Sequence, residues 1–394
     1  MQNKKILYII ISFVSLAYIS SFFKMIQAGN DINNDSSISA LAYIGITCIG
    51  LAYSLNRIET LQNSFVCILL LYSVYFCINY LIINDVSPSY FVLAYQNIWC
   101  FIGIIAYSIG RSINIDFINK LANILVYSAL PFITYIYLNR TEGYVDIMNS
   151  GRDAYFICMI LLIWTLSMKS KYRIVAIAIL CILCITSLKR SVIVIAIFTI
   201  LAHLYDFITN KKISQSKKML LLFSFTIGII YLINNTFEVS TDVVERFQSI
   251  KDDGGSGRDS IYMLLWNNIQ NFDSKELIFG RGYSSVYDLI GLQAHNDFLQ
   301  IIHSIGIIGL AIYILIYICC ISKILSLKVT NHVNKNLKLC SAVIIISFAF
   351  TGYLNCFIVN PPIVTPFIFL LGIHIGAIDN IIKSNEIHHI RNIY

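Results

Sequence analysis

Charge is scarce in this chain. Only 12% of its 394 residues are Asp, Glu, Lys or Arg, while 57% are apolar and the mean hydropathy is +0.74. So little charge cannot cover a soluble globule of this size, and the balance is that of a polytopic membrane protein. Basic residues interleaved with aromatics are also missing, which excludes nucleic acid as a partner. A small-x-small cleavage site is missing after the apolar run near the N-terminus, so residues 6–23 are expected to be a retained first span and not a removed signal peptide. No D-x-D pair and no His/Cys cluster stands outside the apolar segments, so neither a metal nor another cofactor is expected. Cys181 and Cys184 form a C-x-x-C, but inside an apolar segment with no His or carboxylate beside them, and they read as small buried hydrophobes. No internal repeat is evident.

What is present is a series of apolar runs. A spanning helix needs ~20 apolar residues, and about twelve segments qualify. They cover residues 6–23, 38–55, 64–83, 90–109, 117–137, 154–168, 174–188, 191–209, 219–235, 298–322, 340–356 and 363–382. The expected fold is all-α, a membrane domain over 1–235, one large partly helical loop over 236–297, and a C-terminal membrane segment over 298–394. With both termini inside, most of the 28 Lys and Arg residues and few of the 21 acids fall in inner connections. That is the positive-inside pattern, and it places the 236–297 loop on the extracytoplasmic side of the membrane. A loop of that length in a compact protein is usually functional or disordered, and its apolar periodicity and glycine punctuation favour order.

Three polar clusters gather on that outer side. In "GGSGRDSIYMLLW" (residues 254–266), Ser256 and Asp259 have the spacing of a capping box, and Ile261, Leu264, Leu265, Ile269 and Phe272 follow at helical intervals. A helix is expected from about Gly257 to Asn271. Arg258 then sits in the first turn, where the macrodipole is already positive. Either it pairs with Asp259 or Asp252 in water, or an anion resolves the conflict. In "TSLKRSVIV" (residues 186–194), Lys189 and Arg190 break the charge rule in a turn at the outer membrane edge, again at a helix start, and so mark a candidate functional site, with snorkelling to the interface as the alternative. In "AHNDFLQIIHSIGIIGL" (residues 294–310), Asp297 is expected to cap a span and leave His295 and Asn296 at its mouth, where a neutral imidazole can accept a proton. Tyr262, Trp266, Tyr283 and Tyr287 are read as interface-belt residues, with stacking on sugar faces as the alternative. His203 and His374 read as helix-to-helix hydrogen-bond partners.

The order of these pieces resembles the bacterial O-antigen ligase and O-antigen polymerase superfamily. The residues that carry the resemblance are the basic turn "LKRS", "VVERFQSI" with Arg246, "GSGRDSIYMLLW", the glycine turn "FGRGYSSVYD", and "AHNDFLQIIHSIGIIGL". The basic turn departs from the family's Ser-Arg-Gly, so Lys189 and Arg190 both remain candidates for its cation. His303 stands where relatives commonly have an acid, and no role is carried over to it. The resemblance implies transfer of a glycan from undecaprenyl diphosphate to an acceptor hydroxyl at the outer face, without cofactor. It implies lipid-linked repeat units and membrane lipids as partners, and a chain-length-regulating membrane protein as a candidate partner. Carried onto this sequence, Arg190, Arg258 and Arg246 would bind the diphosphate and His295 would be the general base, with Lys189, Asp259, Asn296 and Tyr283 in support. Polymerisation is preferred to ligation onto lipid A core. A flippase or other transporter is the reading from a different class, and the scarcity of charge within the spans speaks against it.

Overall fold

In the computed structural model, the described residues are 62–83, 90–112, 190–209, 258–354 and 361–391, with isolated positions at 45–52, 214–223 and 356–359. Among these residues the chain is wholly helical. In order the helices are α1 (Ser64–Ile83), α2 (Tyr90–Ser112), α3 (Arg190–Thr209), α4 (Arg258–Gln270), α5 (Ser274–Phe279), α6 (Ser285–Ile290), α7 (Asp297–Ser326), α8 (His332–Leu354) and α9 (Pro361–Arg391). Six of the expected spans therefore appear as helices; the other six lie outside the described residues, wholly or nearly so. Among the described residues, four helical stretches are long and apolar enough to cross a membrane: Ser64–Ile83, Asp297–Ser326, His332–Leu354 and Phe367–Ser384.

Two helices run longer than their apolar pattern. α8 starts at His332, ahead of the apolar run, because the Asn331 side chain accepts the backbone N–H of Asn334 at 2.8 Å and so starts the helix in polar sequence. α9 begins on a proline, whose missing N–H costs nothing in a first turn.

α1 and α7 are antiparallel neighbours. Ser64 meets Cys319 at 3.3 Å, the rings of Tyr72 and Tyr313 are 6.3 Å apart, and the Tyr75 hydroxyl donates to the Ile305 carbonyl at 2.8 Å. α2 and α9 approach so closely that a Cβ on Gly372 would lie 2.7 Å from the Gly103 carbonyl oxygen; small residues of this kind let membrane helices pack backbone to backbone. α3 and α8 are also antiparallel. The Lys335 ammonium sits 2.9 Å from the buried Asp206 carboxylate, and further along Phe198 and Phe350 meet edge to face at 5.9 Å. At the same end as Lys335, Asp379 of α9 accepts from Lys323 at 2.8 Å, Asn63 at 2.6 Å and Tyr107 at 2.9 Å, joining α1, α2, α7 and α9. Among the described residues, the paired carboxylates Asp206 and Asp379 thus lie at one end of the bundle. The opposite end carries α4, α5 and α6.

Candidate active site

α4 runs Arg258–Gln270, close to the expected limits. Ser256, the proposed cap partner of Asp259, lies outside the described residues, and Asp259 itself is exposed in the first turn. The inward side chains of α4 are few. Leu265 joins Val286 of α6 and Ala294 in a small core that Ile261, Ile290 and Leu299 complete, which fastens α4 and α6 to the start of α7.

One turn after Arg258 lies Tyr262, half-buried, whose hydroxyl donates to the carbonyl of His295 at 2.8 Å. Burial pushes the Tyr262 phenol above its usual range, and the Arg258 guanidinium opposes the shift. Tyr262 thus lies one helical turn from Arg258 and holds the backbone of His295, 33 residues further along the chain. The same hydroxyl lies 3.5 Å from the Tyr353 carbonyl at the end of α8.

His295 has φ 51, the left-handed region, and no other non-glycine residue among those described has positive φ. Such a conformation is uncommon outside glycine and persists where the surroundings impose it. Here the Tyr262 hydroxyl holds its carbonyl, and the next residue is fixed as a helix cap. That cap is Asn296, not Asp297 as the sequence suggested. Asn296 has extended backbone (φ −156, ψ 117), and its side-chain oxygen accepts from the N–H groups of Phe298 and Leu299 at 2.9 and 3.1 Å. Asp297 is already helical and turns inward, fully buried. Its carboxylate accepts from the Tyr313 hydroxyl at 3.0 Å and the Ile358 N–H at 2.9 Å, and the Tyr317 hydroxyl extends the chain to Tyr313. A carboxylate so enclosed anchors the mouth of α7; it does not face a substrate.

The glycine turn and α7 are built for each other. α7 breaks at Gly306 (φ 74, ψ −176), which strands the carbonyls just before it. The Arg281 N–H donates to the His303 carbonyl at 2.9 Å, the Gly282 N–H to the Ser304 carbonyl at 3.0 Å, and Tyr75 serves Ile305. All three freed acceptors are thereby satisfied, as a break at membrane depth requires. Gly280 and Gly306 both have positive φ, and a Cβ on either would strike the other segment's backbone, Ser304 in one case and Ile278 in the other.

Two residues around this joint were not foreseen. Arg281 forks onto Glu276 at 2.9 and 3.0 Å, donates to Asn268 at 2.9 Å and lies 4.5 Å over the Phe272 ring, so its donors are engaged in holding the turn. Glu276 is held below the usual carboxylate range, first by its bond from Arg281. It also completes a capping box with Asp273 that "DSKE" could have revealed. His303 is buried between Ser285 (2.9 Å) and Asn268 (3.1 Å). Because the Asn268 oxygen can only accept, His303 Nε2 carries the hydrogen and Nδ1 accepts from Ser285. Its role is to tie α4 and α6 to α7.

Tyr283 corrects another expectation. It does not rest in an interface belt; the glycine turn lays it against α1, edge-on to Phe76 and Tyr80 at 5.9 and 6.2 Å, with its oxygen taking a 2.5 Å bond from Gln96. Burial pushes its phenol up. Together with Gln300 and Ser304 it lines a cavity of about 20 Å³, room for a single water and too small for a sugar ring. Trp266 and Tyr287 are more than half exposed and stay free to meet a ligand or lipid.

Arg190 is the first residue of α3. Since α3 is antiparallel to α8, Arg190 enters at the end where α8 finishes, the end of Tyr353, Tyr262 and His295. Lys189 and Arg246 lie outside the described residues. Among the described residues no group of three His, Cys, Asp or Glu side chains could share a metal ion.

Residues 175–314 match the family model described as O-antigen ligase. This stretch takes in the basic turn, α3 to α6, His295 and the broken first part of α7, and it is the stretch over which the sequence motifs carried the superfamily resemblance. No protein of curated function matches the chain.

Proposed function

We propose that this protein is a surface-polysaccharide polymerase, which transfers a glycan from undecaprenyl diphosphate to a hydroxyl of another lipid-linked repeat unit. The site faces the outer side of the inner membrane, within the 236–297 loop and the helix mouths beside it. The observation that supports it is the Tyr262 hydroxyl bond to the His295 backbone, which brings the helix that Arg258 begins against the mouth of α7, within a stretch that matches the O-antigen ligase family model.

The donor is already activated. The protein has to steady the departing diphosphate and remove a proton from the incoming hydroxyl. Arg258 at the start of α4 and Arg190 at the start of α3 join a guanidinium fork to free backbone donors, a pairing suited to phosphate oxygens. Arg246 is the third cation of the clamp, with Lys189 beside Arg190 and Asp259 near Arg258. His295, presented by its left-handed backbone, takes the acceptor proton as the new glycosidic bond forms and the bond to diphosphate breaks. Direct displacement of this kind inverts the anomeric centre. A retaining course needs a carboxylate against the sugar; of the two candidates Asp297 is enclosed and Asp259 is exposed in the first turn of α4.

The description of the family model favours a second reading, ligation of the finished glycan to lipid A core. Deletion of the gene separates the two on a lipopolysaccharide gel. Core carrying one repeat unit means a lost polymerase, bare core with accumulated lipid-linked polymer means a lost ligase, and an unchanged ladder refutes both.

A further inference from the structure

α5 is polar at its start and apolar at its end. Asp273, Lys275 and Glu276 give way to Leu277, Ile278 and Phe279, which are 38%, 38% and 39% exposed. Three exposed apolar side chains in succession on a six-residue helix need a covering, and the position of the helix says what covers it.

α5 does not lie beyond the end of the bundle. Its last residues pack on Gly306, about 13 Å down the axis of α7 at 1.5 Å per residue. From the other side, the Asn79 side chain donates to the Phe279 carbonyl at 2.5 Å, so the end of α5 is level with the last turn of α1. At that level α1 still presents an outward apolar stripe. Leu71, Val74, Ile78, Leu81 and Ile82 recur on one face, and Leu81 and Ile82 are 54% and 73% exposed. α1 is among the helices long and apolar enough to span, and such a stripe facing outward is its lipid surface. The apolar end of α5 lies at the level of that stripe. Of the charges on either side of it, Glu276 and Arg281 are bonded to each other.

We infer that α5 is a membrane-contacting element whose Leu277, Ile278 and Phe279 rest among the acyl chains of the leaflet nearest His295. The segment 236–297 is then not a purely aqueous loop, and the glycine turn is fixed relative to the bilayer as well as to α7. The inference rests on α1 being a spanning helix; it does not depend on which glycan is transferred.

The unmodified protein tests it in nanodiscs of phosphatidylethanolamine and phosphatidylglycerol that include a phospholipid with a diazirine in its acyl chain. After photolysis, peptide mapping should find adducts on residues 277–279 at a yield comparable with residues 78–82, and hydroxyl-radical footprinting should leave Phe279 unoxidised. Labelling of 78–82 alone with oxidation of Phe279 would put α5 in water and overturn the inference. Labelling of 78–82 alone with Phe279 untouched by either reagent would mean that another part of the chain covers α5, and also overturns it. If 78–82 is unlabelled, the spanning assignment of α1 fails, and the inference with it.

Discussion

His295 and Tyr262 are separate roles joined by one hydrogen bond, and substitutions can tell them apart. His295→Ala removes the base and is expected to lower glycan transfer by ~10²- to 10⁴-fold with normal expression, measured by complementation and by turnover of lipid-linked repeat units. Full activity in that variant would end the general-base assignment. Tyr262→Phe keeps the ring and loses only the hydroxyl, a net change of about 0.5–1.5 kcal/mol in stability. Transfer should fall in this variant by more than that small loss of folding explains, because the left-handed peptide of His295 loses its restraint. Asp297 is a matter of architecture. Asp297→Ala strands the buried Ile358 N–H and the Tyr313 hydroxyl, at about 1–3 kcal/mol for each group left unsatisfied, and thermal melting of the detergent-solubilised protein should show it. The choice of cap could not be seen in sequence. Asn296 and Asp297 are adjacent and either type caps well; Tyr313 and Ile358, one later in the same helix and one beyond the next, decide the matter by drawing Asp297 inward.

At the scale of elements, the joint between the glycine turn and α7 makes two comparisons. Gly306→Ala and Gly291→Ala both place a Cβ at positive φ, but Gly291 has open space around it while Gly306 abuts the Ile278 backbone. The Gly291 change should cost about 1 kcal/mol and the Gly306 change several, because overpacking adds about 1–3 kcal/mol to the backbone strain. Melting temperatures of the pair check the difference. The second comparison is with pH. The folded-state pKa of Glu276 is depressed, so the stability it contributes is present above its ordinary value of 4.5 and is lost as pH falls through the lower folded value. Glu276→Gln should therefore melt earlier than wild type near neutral pH, and the gap should close in the acid range. The limits of α4 were legible because glycine and Ser precede apolar residues at helical spacing. The break in α7 was not, since a glycine within an apolar run has no periodic signature, and the groups that satisfy the break come from residues 75, 281 and 282.

For the whole molecule, the readable part was its class. Scarce charge and long apolar runs gave an all-helical membrane protein, and the described helices agree with the runs they cover. Which helices touch was beyond the sequence: a uniformly apolar helix has no preferred face, and the pairing of α2 with α9 depends on glycines that only tertiary approach explains. The order of polar motifs was the better guide to the candidate site, because the motifs within the described residues fall at helix ends and the antiparallel packing of α3 with α8 brings the start of α3 to the same end of the bundle. The deletion phenotype on a lipopolysaccharide gel belongs to this scale, since it reads the reaction of the entire protein.

Tyr262 has one more consequence. Its phenol is a mechanical link: a load on the first turn of α4 reaches the His295 peptide through its hydroxyl, alongside the Leu265 contact with Ala294, with the Tyr353 carbonyl as the post beside it. An anion drawn to Arg258 would then tighten the very peptide that presents the imidazole, and the empty and loaded enzyme would differ in how firmly the base is aimed.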